Sequence, residues 1–215
     1  MAKIKALLGN RTFCMAWLIF SLAYVTVFGL LYVDDPFAKD VVRRTILGIA
    51  VDPTMRATAS VIGKYHFWGF KLWGVFQQIS LALNVLYLYK RYDFQGKMAR
   101  AGRICLIIAT GFILMCISVP STEEFGLQLV AHWSGALLFG AFNAAAIALF
   151  LLGRAKRSKR ILATLIVFLG MLASMITLLA ILGKSGAIEN IPMWGAYLIL
   201  FLLNFTGLYK KSLPA

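Results

Sequence analysis

Only two histidines, His66 and His132, are available to hold or move a proton near neutral pH. Around them the sequence supplies Glu123 and Glu124 just upstream of His132, and Lys71 and Gln77 downstream of His66. Three chemistries follow. In a hydrolase or acyl-transfer site, His132 acts as general base and Glu123 or Glu124 orients it. Ser118, Ser121 and Ser134 lie nearby in sequence, yet no nucleophile motif marks any of them. In a metal reading, His66 and His132 bracket a haem iron or begin a zinc site. No HxxxH, HExxH or cysteine-rich spacing supports that, and no cofactor is expected. In a structural reading, His132 is hydrogen-bonded between helices, which contributes only about 0.6 to 2 kcal/mol in a membrane but fixes helix register.

The elements that must position these residues are apolar helices. Six stretches, about 12–32, 67–88, 104–119, 127–152, 161–182 and 191–208, are long enough or nearly so to cross a bilayer, for which roughly 17 to 25 residues is usual. They are continuously apolar and do not alternate, so the backbone must satisfy itself within helices rather than in a barrel. The expectation is a single all-α domain over residues 1–215, a polytopic integral membrane bundle of six spans.

Charge sets its orientation. With the N-terminus inside, 15 of the 22 Lys and Arg and only one of the eight acids, Asp93, fall on the inner side. The positive-inside rule then predicts N-in, C-in topology. A net charge of +14 therefore needs no nucleic acid to explain it, because the charge sits in short loops flanking the spans. Those loops, Lys90–Arg103 and Arg154–Arg160, are also suited to anionic lipid headgroups. Trp68, Trp73, Trp133 and Trp194 near outer span ends, and Trp17 near an inner one, form an interfacial belt. The first apolar run exceeds the 7 to 15 residues of a signal h-region and reads as a retained span. Cys14, Cys105 and Cys116 show no paired spacing and read as packing residues. Which membrane holds the bundle is not encoded.

The first outer loop, about 33–66, is the long one. Within it Val41, Val42, Thr45, Ile46 and Ile49 recur at helical spacing beside Arg43 and Arg44, predicting a short amphipathic surface helix that caps the bundle mouth. Inside the spans the polar residues are few: Lys71, Gln77, Gln78, Asn84, His132, Asn143, Ser174, Thr177 and Asn204. Each should face the interior or a wet cavity. His132 lies five residues into its span, roughly 7 to 8 Å along the axis. Gly135, Ala136, Gly140, Ala141 and Ala144–Ala146 make that span rich in small residues, so it should be central to the bundle, or dock a second copy or a partner membrane protein through residues 135–148.

The stretch Ile117–Phe139, ISVPSTEEFGLQLVAHWSGALLF, resembles the fourth-span approach of the damage-regulated autophagy modulator proteins, relatives of GPI-lipid-remodelling membrane proteins and of prokaryotic six-span proteins. LYLYKRYDF, closing the second span before a short basic loop, is similar to the same superfamily. The first outer loop departs from it: Val51-Asp52-Pro53-Thr54 stands where the family carries a Ser-Asp-x-Gly run and prolines. The resemblance implies membrane lipid handling or organisation. Joined to the residues above, it leads to the expectation of an outward-facing polar pocket in which His66, Lys71, His132 and Gln77 meet a lipid headgroup. The alternatives are a non-catalytic subunit or scaffold and, more weakly, a channel or transporter, against which stands the absence of acids inside the spans.

Overall fold

The computed structural model describes residues 9–34, 42–119 and 126–209. Six long helices carry the fold: α1 (Arg11–Gly29), α3 (Phe67–Arg91), α4 (Gly96–Ser118), α5 (Leu127–Ala155), α6 (Lys159–Leu182) and α7 (Gly186–Phe205); the short α2 (Ala59–Tyr65) precedes α3. Several starts are fixed by side-chain caps. Asn10 accepts the Phe13 N–H at 3.0 Å, Ser158 takes that of Ile161 and Ser185 that of Ile188. α6 stops at Gly183, whose φ of +77° suits a residue without Cβ.

Sequential long helices pack as neighbours, and α7 closes the bundle against α1. α4 and α5 form the most extensive pair, with α1 and α3 next. The helix with the most partners is α3, which touches α1, α2, α4, α5 and α7. The small-residue helix α5 is thus not the hub. Its Gly135 is nevertheless indispensable to the α4 contact, since a Cβ there would lie 2.9 Å from the Cys116 nitrogen and the Phe112 oxygen.

Five of the six long helices are also apolar enough to cross a membrane. α3, with 25 residues, is long enough, but Gln77, Gln78 and Asn84 dilute it. Those polar groups face inward. Gln78 Nε2 donates to Leu106 O (3.0 Å) and Thr110 Oγ1 (2.8 Å), and Gln78 Oε1 accepts from Asn143 Nδ2 (2.9 Å), joining α3, α4 and α5. Asn84 Nδ2 donates to Cys14 O (3.2 Å), while Asn204 Nδ2 donates to Asn84 O (2.9 Å), joining α1, α3 and α7. Ser174 and Thr177 differ from expectation: both are exposed on the rim helix α6. Thr177 achieves this by donating to Ala173 O one turn back (3.0 Å), so its hydroxyl needs no interior partner.

The expected amphipathic helix of the first loop is instead a two-stranded hairpin, β1 (Arg44–Ile46) and β2 (Ile49–Val51), with Arg44 opposite Val51 and Ile46 opposite Ile49; Val41 lies outside the described residues. Leu47 and Gly48 both have positive φ (52° and 79°), the twist that a two-residue hairpin demands. The hairpin is tied to the end of α1 by Tyr32 N–H to Ala50 O (3.1 Å) and Asp52 N–H to Leu30 O (2.7 Å). The buried Asp52 carboxylate then organises the next turn, accepting from Thr54 N, Thr54 Oγ1 and Arg56 N at 2.9, 2.6 and 2.8 Å. Finally, Met55 O receives the Ala187 N–H and Glu189 receives that of Ala59, binding the loop to the start of α7. The described part of the loop, from residue 42 onward, is therefore tied to the ends of α1 and α7 at one end of the bundle.

Candidate functional site

His132 is buried at the α4–α5 contact, with only 2% of its surface exposed. Its Nδ1 lies 3.0 Å from Cys116 O and 2.8 Å from Val119 O. Both partners are carbonyls, so Nδ1 carries the proton and donates to the orphan carbonyls ending α4. Cys116 Sγ is 4.0 Å from the same nitrogen, but the pair is not set up as nucleophile and base. Nδ1 is already a committed donor, and the thiol is sealed in the core at 1% exposure. The histidine ring packs beside Phe70, centroids 6.0 Å apart. This is the geometry of a helix-end cap.

His66 occupies a different environment. It is the junction between α2 and α3, exposed, with its carbonyl accepting the Phe70 N–H at 2.9 Å. Lys71 comes five residues later, its Nζ held 4.2 Å from the Phe67 ring centre and 5.2 Å from that of Trp68. His66 and Lys71 thus flank one aromatic pair. Gln77 lies roughly 16 Å further along α3 than His66. It is fully buried, and neither side-chain atom has a hydrogen-bond partner among the described residues. Glu123 and Glu124 fall outside the described residues. Among the described residues no three of His, Cys, Asp and Glu converge on a common point. The four residues expected to line one pocket are consequently divided: His66 and Lys71 at a surface, His132 as a cap, Gln77 in the bundle interior.

At the surface lies a groove of about 490 Å³ between α1 and the α2–α3 junction. Val27, Phe28 and Leu31 form one wall; Tyr65, His66, Phe67 and Trp68 form the other. Gly69 permits the close approach, for a Cβ there would meet the Phe28 ring at 2.9 Å, and Tyr24 locks it by donating to Gly69 O (3.1 Å). A groove walled by aliphatic and aromatic side chains, with an imidazole on the wall and an ammonium beside it, can take an amphiphile. The sequence points to His66 and Lys71 but not to the α1 wall, because nothing in the α1 residues signals which neighbour they meet.

The fold and its apolar helices define the class: an all-α, multi-pass integral membrane protein. Beyond the class, comparison with protein-family models, curated proteins and solved structures finds no match to this chain.

Proposed function

We propose that this protein spans the membrane six times with both termini inside, α3 being the sixth span, and that it binds a membrane phospholipid in the α1–α3 groove. An acyl chain lies on Val27, Phe28 and Leu31; the headgroup phosphate meets His66 and Lys71. The observation that carries this reading is an apolar groove with His66 in its aromatic wall and the Lys71 ammonium held against the ring of Phe67, a residue of that wall. A charged lysine inside or beside a span is costly unless it reaches the interface or a counter-charge, and a phosphate supplies the latter. The reading moves the lipid site from His132, whose donor is spent on α4, to His66.

Native mass spectrometry of the gently solubilised protein tests it. Retained phospholipid should be lost in the double variant His66→Ala/Lys71→Ala and kept in His132→Asn; retention equal to wild type in both variants would sink the proposal. A second reading rests on Ala136 and Gly140, which are exposed on α5 with open space beside Gly140. That small-xxx-small step suits docking of a second copy or a partner helix. Gly140→Leu should abolish an oligomer if this reading holds, and an unaltered mass would dismiss it.

A further inference from the structure

The opposite end of the bundle carries a second cavity, of about 510 Å³, between the α3–α4 turn and the end of α5. We infer that this cleft binds the phosphate of an anionic lipid headgroup. Three cations, Lys97, Arg154 and Arg157, line it against one acid, Asp93. Arg154 is held rather than free. Its guanidinium donates to Tyr92 O and to Asp93 O (3.2 Å), and lies 5.8 Å from the Phe94 ring centre. Its Nε is shut away from solvent and has no partner among the described residues. A cation fixed in this way is a preformed wall that loses little freedom when an anion arrives.

The start of α4 adds to it. Gln95, at the cap position, makes no capping bond, and its amide N–H donates to the Asp93 carboxylate. The first-turn N–H groups of α4 are therefore left uncapped beside the cleft that Lys97 and Met98 line, with the positive end of the helix dipole. Gly96, at φ +85°, makes the sharp entry into that turn possible. Phosphate is the shared chemistry of a lipid headgroup and a free anion. The position favours the lipid. The cleft opens where α4 and α5 reach the end of the bundle, and Arg100 and Arg103 continue the exposed basic face along α4 at the level of a headgroup layer.

The test uses the full chain in phosphatidylcholine nanodiscs titrated with short-chain phosphatidylinositol 4-phosphate, and in parallel with inorganic phosphate. Lys97→Gln/Arg157→Gln removes two exposed charges without touching the Arg154 scaffold. Each charge near such a surface corresponds to about fivefold in affinity, so the double variant should bind roughly 25-fold more weakly. Asp93→Asn should bind more tightly, a change of sign that mere loss of folding cannot produce. Binding of the lipid within twofold of wild type in both variants would overturn the site. Inorganic phosphate binding as tightly as the lipid would overturn the assignment to a membrane headgroup.

Discussion

Replacing Gln78 by Leu removes three inter-helix hydrogen bonds at one stroke: two donated to Leu106 O and Thr110 Oγ1, and one accepted from Asn143. The partners are not stranded. Thr110 Oγ1 keeps its own bond to Leu106 O (2.9 Å), and Asn143 Nδ2 keeps Phe139 O (3.0 Å). No desolvation penalty for an orphaned donor is therefore added, and the loss is that of the bonds alone. At about 0.6 kcal/mol per inter-helix bond in a membrane, the variant should be less stable by about 2 kcal/mol. Leucine gains nothing in return from leaving water, because lipid tails are as apolar as the interior. The Asn143–Gln78 bond by itself should appear as a coupling of about 0.6 kcal/mol in a cycle with Asn143→Val. Reversible unfolding in mixed micelles with increasing dodecyl sulfate, followed by tryptophan fluorescence, reads both quantities. A Gln78→Leu protein as stable as wild type, or a coupling of zero, would refute the view that this junction holds α3, α4 and α5 together.

Gly102→Ala should cost about 1–3 kcal/mol, because the new Cβ would overlap the Tyr89 hydroxyl, itself donating to Ala146 O at 2.7 Å. Tyr89→Phe in the same background should recover part of that loss of thermal midpoint; simple additivity of the two variants would show that they do not meet. His132→Leu should lower stability by about 1–2 kcal/mol through the lost bonds to Cys116 and Val119, and an unchanged unfolding midpoint would remove its capping role. Gly48→Val, with open space for its side chain but a φ of +79°, should cost about 1–2 kcal/mol of hairpin stability. The readout is faster amide exchange at Tyr32; unchanged exchange would contradict the strain.

Hydropathy made the helices legible because a continuous apolar run in lipid has one way to satisfy its backbone. α1, α5 and α6 begin and end within a few residues of the expected spans. α4 starts at Gly96 rather than near 104, since Lys97, Arg100 and Arg103 sit on its exposed side while Ala99 and Gly102 pack inward; charge had concealed two helical turns. The hairpin is hidden because Val42, Thr45, Ile46 and Ile49 fit helical spacing, and the signal that decides it is Leu47-Gly48, a turn between β-branched residues. Inward placement of Gln77, Gln78, Asn84, Asn143 and Asn204 followed from the cost of polar groups in lipid. The groove did not follow from anything local. Its walls are separated by some forty residues of sequence, and only the packing of α1 on α3 brings Phe28 to His66.

The polar character of α3 bears on how the protein is made. A helix carrying Lys71, Gln77, Gln78 and Asn84 is a poor solitary client for the translocon. The chain emits α1 first, and α1 offers the carbonyls that α3 later needs, Trp17 O to Ser80 (3.3 Å) and Cys14 O to Asn84 (3.2 Å), while its own Ser21 reaches Phe76 O (3.1 Å). If α3 crosses the membrane as proposed, these contacts predict that the earlier helix serves as a template for insertion of the later one. Damage to the α1 face would then show up in the yield of inserted protein during synthesis, before any effect on the stability of the finished bundle.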